Sequence, residues 1–209
     1  MPNYLLVSGC ERSGTSILAE TIGTHPSIRM KNEEGPLFFI AWLQDLILSD
    51  DMGRYKKWYN PIMGWKIGRD DKEKFVSILR EEWINIYQRF CGDGYSYIGD
   101  KWTELTRGHF DMFNELVSPK WILIWREKEA NLASMRNAYW NQNVPDEELS
   151  NRYDKCTNFV LSKSNESNCL IVKYEELCQS PKIVMNDISK FLCVEDSFDV
   201  SNIGGIRVS

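Results

Sequence analysis

The feature that most constrains this chain is the stretch Gly9-Cys10-Glu11-Arg12-Ser13-Gly14-Thr15-Ser16. It follows the apolar run Tyr4-Leu5-Leu6-Val7 and precedes a helical pattern from about Thr15 to Thr24. Strand, glycine-bounded loop and helix in that order make a concave turn. Its backbone N–H groups, with the positive end of the helix, can surround a cluster of anionic oxygens. The glycines have the G-x-x-x-x-G spacing of a Walker A loop, but Thr15 stands where that loop has its lysine, and the cation has moved to Arg12. Transfer of a γ-phosphoryl needs that lysine beside the phosphates. The loop therefore suits a phosphate-like group and is poorly equipped to move a γ-phosphoryl. The plainer alternative is a glycine-rich turn that binds nothing.

The rest of the chain alternates short apolar runs with helical patterns. Ile28–Met30 reads as a strand after the His25-Pro26 break. Leu37–Leu48 is apolar enough for a helix or a buried segment. Asp70–Phe90 is an amphipathic helix, because Phe75, Leu79, Trp83, Ile86 and Phe90 recur at spacings of four, four, three and four. Tyr95–Gly99 reads as a strand and Phe110–Val117 as a helix. Trp121–Trp125 is a central strand, apolar on both faces as parallel sheets require. A helix from Glu127 to about Tyr139, a strand at Cys169–Lys173 and a helix at Pro181–Leu192 complete the order. This predicts an α/β fold of three layers, P-loop-like, with a central, mainly parallel β-sheet flanked by helices. Ligands in such folds sit beyond the carboxyl ends of the strands.

Composition narrows the function classes. The 209 residues carry 25 Lys and Arg against 30 Asp and Glu, a net charge of −5, so no basic surplus points to nucleic acid or an anionic membrane. No apolar run approaches the ~20 residues of a membrane span. The N-terminus lacks the apolar core of a secretion signal, and a cytoplasmic location is expected. The six cysteines form no C-x-x-C pair and accompany only two histidines, which argues against a zinc site and a disulfide framework.

The segment Arg12-Ser13-Gly14-Thr15-Ser16 after a first strand resembles the 5′-phosphosulfate loop of sulfotransferases that use 3′-phosphoadenosine 5′-phosphosulfate (PAPS). A second segment agrees with it. Trp121–Trp125 runs into Arg126, with Ser134 eight residues after that arginine, which is similar to the family's 3′-phosphate segment. The usual R-D-P is Arg126-Glu127-Lys128 here. An arginine at a strand end can grip a phosphate in two-pronged fashion, and a serine two turns along can add a hydroxyl. A third match, Tyr174-Glu175-Glu176-Leu177 followed by Pro181 and Phe191-Leu192, is similar to a late family pattern. Tyr174 either approaches the nucleotide or is a core residue. The resemblance spans roughly residues 4 to 194 and implies a single sulfotransferase domain over 1–209, with 37–70 as an acceptor-side or lid segment.

The resemblance also implies roles. Arg12, Ser13, Gly14, Thr15 and Ser16 would hold the phosphosulfate, Arg12 serving catalysis as well, and Arg126 and Ser134 the 3′-phosphate. Tyrosylprotein and carbohydrate sulfotransferases carry a catalytic glutamate after an HP turn. Aligned on His25-Pro26 that residue is Glu34, while a shift of one selects Glu33. Lys101, in Ile98-Gly99-Asp100-Lys101, is the expected stabiliser of the leaving oxygen, with Lys66 as a rival. His25 reads as structural, and His109 is weakly placed. PAPS would be the donor and 3′-phosphoadenosine 5′-phosphate (PAP) the product, with no metal. The acceptor would be a small molecule, a saccharide or a peptide bearing a hydroxyl or amine. Aromatics at 42–65 and at Tyr139-Trp140 either pack a core and lid or stack on a sugar or aryl acceptor. Gly204-Gly205-Ile206-Arg207 could cover the nucleotide. The other readings are a nucleotide kinase with a displaced cation and a non-catalytic module that binds PAP.

Overall fold

A computed structural model describes residues 2–32, 92, 94–103 and 107–203, with isolated positions between 74 and 89. The chain divides into two compact units, residues 1–33 with 94–209, and residues 34–93.

The first unit is a five-stranded sheet. β1 (Asn3–Gly9) leads through the glycine loop into α1 (Thr15–Ile22) and returns as β2 (Ile28–Asn32). Then come β3 (Tyr97–Thr103), α2 (Arg107–Val117), β4 (Lys120–Trp125) and α3 (Lys128–Arg136). A 3₁₀ turn at Tyr139–Asn141 precedes α4 (Asp146–Ser162), β5 (Cys169–Lys173), α5 (Tyr174–Gln179) and α6 (Pro181–Leu192). The strand order is β2-β3-β1-β4-β5, and every neighbouring pair is parallel. The expected α/β architecture with a central parallel sheet is the one observed.

Side-chain alternation along the strands separates two layers of core. Leu5 and Val7 of β1, Ile122 and Ile124 of β4 and Val172 of β5 pack with Leu18 and Ile22 of α1 and Met185, Ile188 and Leu192 of α6. The intervening Trp121 of β4 meets α2, where Phe110 stacks on its indole at 4.9 Å and Phe113 meets it edge-on at 6.1 Å. The indole N–H donates to Asn114 Oδ1 at 3.1 Å, so this buried ring carries no unpaired donor. Each fully buried Leu or Ile contributes about 1.5–3 kcal/mol of transfer free energy, which explains why the continuous apolar run 121–124 lies at the centre.

Three elements depart from expectation. β3 starts at Tyr97 and continues to Thr103, so Asp100 and Lys101 lie within the strand rather than at its end. α3 stops at Arg136, and Tyr139 belongs to the 3₁₀ turn. α4, 17 residues long, has no counterpart in the expected order. Its signals were Pro145 ahead of Asp146, Glu147 and Glu148, and buried Leu149, Tyr153, Cys156 and Val160 at helical spacing. In the second unit Lys74, Ser77, Ile78, Glu81, Glu82, Asn85 and Arg89 are helical and exposed. Phe75, Leu79, Trp83, Ile86 and Phe90, the apolar stripe expected for Asp70–Phe90, lie outside the described residues. The expected segments 37–48 and 37–70 lie outside the described residues.

Gly99 fixes the spacing of β1, β2 and β3. A Cβ there would stand 2.6 Å from Leu5 O and 2.5 Å from Met30 Sδ. Gly99→Ala is expected to destabilise the protein by about 1–3 kcal/mol. Urea unfolding should show a lower midpoint at unchanged slope. An unchanged midpoint would contradict this strand spacing.

Candidate functional site

The topology opens a crevice at one place. From β1 the chain crosses to β2 and β3 on one side of the sheet, while β4 and β5 build the other side. Connections leaving in opposite directions part at the carboxyl end of β1, where ligands bind in open parallel sheets. The loop Cys10–Gly14 rises there, facing Arg126, which follows the last residue of β4.

The loop is closely built. Ser13 donates both its N–H and its hydroxyl to Cys10 O, at 3.1 and 2.7 Å, and is fully buried. Its side chain is thus spent on the turn. Gly14 precedes α1 with φ 100°, a left-handed conformation that glycine adopts without a Cβ clash. The first amides of α1, starting at Thr15, have no acceptor within the helix. A Cβ at Gly9 would fall 2.1 Å from Ile124 O, and one at Gly14 2.4 Å from the Tyr174 ring. Arg12 also has a positive φ, 63°. For a residue with a Cβ this stores about 1–2 kcal/mol, a kind of strain that gathers at functional sites.

Cations converge on the loop from three elements. Arg12 Nε donates to Ser134 Oγ of α3 at 3.1 Å. Lys101 of β3 is largely buried, and its Nζ donates to Ser16 Oγ at 3.1 Å. Arg126 Nη1 reaches Arg12 O at 3.5 Å, and its guanidinium lies over the Tyr174 ring at 4.5 Å. The Arg126 Nε is buried without a hydrogen-bond partner. Tyr153 of α4 donates its hydroxyl to Arg126 O at 2.6 Å and so fixes the backbone of that arginine. Burial pushes the Tyr153 phenol up. The Tyr174 phenol is also pushed up, by burial and then by its hydrogen bond to Cys178 and that thiol's charge, against the pull of Arg126.

Of the residues expected at the site, Arg12, Ser13, Gly14, Thr15, Ser16, Lys101, Arg126, Ser134 and Tyr174 lie on the loop or the elements around it. Glu33, Glu34, Lys66 and residues 204–207 lie outside the described residues. His25 is structural: Ser27 N–H donates to its Nδ1 at 3.1 Å, so the proton is on Nε2, which meets Glu195 O at 3.0 Å. His109 of α2 packs against Trp102, ring centroids 4.9 Å apart. A groove lined by Thr24, His25, Arg29, Lys31 and Tyr95 is set where chain enters β2 and β3, away from the loop. Among the described residues no group of three His, Cys, Asp or Glu could hold a metal ion, and no helix is long and apolar enough to cross a membrane.

Sequence reasoning missed several contributors. Glu11 is buried within the loop, where its Oε1 accepts hydrogen bonds from Trp140 Nε1 and, at 2.8 Å, from Asn141 Nδ2. Glu175 Oε1 accepts the Glu127 N–H at 3.2 Å, so the Tyr-Glu pair shapes the turn after Arg126. Glu127 and Lys128, in place of Asp and Pro, pair with Lys173 and Asp154 at 2.5 and 2.7 Å. Asn131, three residues before Ser134, is fully buried with neither amide atom bonded within the protein. Glu11 and Asn131 are polar residues without a motif; only the fold brings Trp140 and Asn141 to Glu11 and buries Asn131.

The contact between Gly14 and Tyr174 can be tested directly. Gly14→Ala is expected to cost about 2–3 kcal/mol, from overpacking and from a Cβ at positive φ. In a Tyr174→Ala background the steric share should vanish and about 1 kcal/mol of conformational cost remain. Strict additivity in urea titrations would show that the ring and the glycine do not touch.

Comparison with known proteins follows this geometry. The profile described as "Sulfotransferase family" matches residues 4–198. Among solved structures, the sulfotransferase domain from the curacin biosynthetic pathway is 15% identical, with TM-score 0.66, over 93% of this chain and 75% of that one. Mouse sulfotransferase SULT7A1, complexed with PAP, is 16% identical, with TM-score 0.53, over 97% of this chain and 62% of that one. A sugar kinase from Janibacter sp. HTCC2649 is 14% identical, with TM-score 0.52, over 94% of this chain and 97% of that one. At these identities the likeness is one of fold, which sulfuryl- and phosphoryl-transfer enzymes share. A search of curated proteins finds no match. The match over nearly the whole chain decides between them, and the chain belongs to the sulfotransferase family.

Proposed function

We propose that this protein transfers a sulfuryl group from PAPS to an acceptor hydroxyl and releases PAP. The observation that carries the reading is Arg126. Its Nε is buried without a partner, beside a loop that leaves amides and Arg12 facing the same crevice. An unpaired buried donor costs about 1–3 kcal/mol, and more when charged, unless a ligand supplies the acceptor. A 3′-phosphate supplies such oxygens, and Ser134 adds a hydroxyl from the next helix. The space kept free by Gly9 and Gly14 fits the phosphosulfate end. The PAP in the mouse relative's complex supports the same choice of nucleotide.

PAPS supplies a sulfuryl group that is already activated, so this chain's task is to position, to steady charge and to move a proton. The amides at the start of α1 and the Arg12 guanidinium hold the anionic end. Lys101 Nζ, placed at Ser16, offers a positive charge to the oxygen that gathers electrons as the bond to sulfur breaks. Tyr174 and Tyr153 hold Arg126 in place. Glu34 takes the proton of the acceptor hydroxyl in this reading. Thr15 is buried where a kinase has its lysine, which disfavours γ-phosphoryl transfer. Residues 37–70 form the acceptor side of a single cytoplasmic domain in this reading.

Calorimetric titration with PAP, AMP and ATP tests the donor site. PAP should bind best, and Arg126→Ala should weaken PAP by about 10–100-fold while changing AMP less than about twofold. Equal losses, or a preference for ATP, would sink the assignment. Glu34→Gln should leave PAP binding intact and lower turnover by about 10²–10⁴-fold. Retained turnover would move the base to Glu33 or His109.

A further inference from the structure

We propose that Tyr139 and Trp140 form a platform for the acceptor, and that the acceptor is a neutral saccharide. The proposal rests on the sulfuryl-transfer reading and names its substrate class. The two rings are among the most exposed large hydrophobics of the described residues, at 77% and 51%. They meet edge to face, centroids 4.9 Å apart at 84°. Contiguous exposed apolar surface rimmed by polar residues is the form that a ligand-binding surface takes.

The pose is fixed by the anion loop itself. Trp140 Nε1 donates to the buried carboxylate of Glu11, and the neighbouring Asn141 Nδ2 donates to the same oxygen at 2.8 Å and to Met135 O at 3.1 Å. The turn is closed by Ala138 N to Met135 O at 3.1 Å and Asn141 N to Ala138 O at 2.9 Å. Arg12, next to Glu11, carries its guanidinium over the Trp140 ring at 5.9 Å. The platform therefore borders the place where the loop holds its anion. A carboxylate inside an anion-binding loop works against anion binding unless it serves another end. Here it fastens the aromatic turn to the loop.

The flanks select the ligand class. Asn137, Gln142 and Asn143, which flank the two aromatics in sequence, are exposed. A planar amide offers a donor and an acceptor together, the pattern that neighbouring sugar hydroxyls need. The ring faces accept the C–H face of a pyranose through dispersion and weak hydrogen bonds. Arg136, the nearby cation in sequence, is engaged with Asp146 at 2.8 Å, so the flank offers amides rather than charge. A simple phenol would use the rings and leave the amides idle. An acidic tyrosyl peptide would draw on Arg12, the cation over Trp140, which the phosphosulfate of the donor already engages in this reading.

The test uses the full chain with radiolabelled PAPS and six acceptors: cellobiose, lactose, N,N′-diacetylchitobiose, trehalose, 4-nitrophenol and a tyrosyl peptide. Transfer to at least one disaccharide is expected. Tyr139→Ala should raise the KM for that sugar about tenfold while the KM for PAPS and PAP binding change less than about twofold. Trp140→Phe keeps the ring but removes the N–H to Glu11, and should move the PAPS KM more than Tyr139→Ala does. Transfer only to 4-nitrophenol or the peptide, transfer to none of the six, or an unchanged sugar KM in Tyr139→Ala would overturn the proposal. Saturation-transfer NMR with the same disaccharides reads the platform without the donor, and signals that survive Tyr139→Ala, or no signal from any sugar, also overturn it. Loss of the underlying reading has a separate signature, the failure of PAP to bind in a 3′-phosphate-dependent way.

Discussion

The Tyr174 ring is wedged between the two halves of the site, and the rest of the arrangement depends on that wedge. On one side it touches Gly14, where even a methyl group would stand 2.4 Å from the ring. On the other it lies under the Arg126 guanidinium at 4.5 Å. A cation over an aromatic face gains about 0.5–2 kcal/mol, the more as water is excluded. The ring thereby sets how far Arg126 stands from the glycine loop. Glu175, the next residue, catches the Glu127 N–H and holds the chain just past the arginine. The Tyr-Glu pair at the start of α5 acts as a spacer for a site whose charged groups come from elsewhere.

Charge in the loop follows a similar economy. Arg12, Lys101 and Arg126 repel one another, yet the parallel order β3-β1-β4 brings them to neighbouring strand ends. Ser134 and Ser16 accept from two of these cations, and the Tyr174 face takes the third. Glu11 is directed at Trp140 and Asn141 instead of at Arg12. Its two N–H donors replace the water that a buried carboxylate loses, a loss that costs several kcal/mol when uncompensated. The site is pre-organised as a cationic hollow with its one loop carboxylate occupied.

The sequence was informative where chemistry and secondary structure coincide. Gly9 to Ser16 could be placed because a strand, a required positive φ at Gly14 and a helix start follow within a few residues. Trp121–Trp125 could be placed because a strand buried on both faces is apolar without alternation. β3 runs four residues beyond the apolar pattern that marks it in the sequence, because Asp100, Lys101 and Trp102 break that pattern while remaining buried. α4 escaped because four of its first eight residues are charged, which hides the stripe from Leu149 to Val160. Glu11, Tyr153 and Asn131 could not be read at all. Glu11 and Tyr153 bond to groups up to 130 positions away or on other elements, and pairing across such distances is a property of topology.

The His25-Pro26 turn is structural, as its sequence suggests: both ring nitrogens of His25 are occupied, one by Ser27 and one by the carbonyl of Glu195. Phe198 packs on the ring at 5.1 Å, and Asp199 N–H donates to Thr24 Oγ1 at 2.9 Å. The turn is therefore bolted to the segment after α6. From there β2 runs parallel to β3 and reaches the carboxyl edge of the sheet at Asn32, whose register partner is Lys101. A turn fixed at one end of a five-residue strand fixes where that strand ends at the other. His25 thus acts through position: it sets where β2 ends at Asn32, level with the lysine proposed to steady the leaving oxygen.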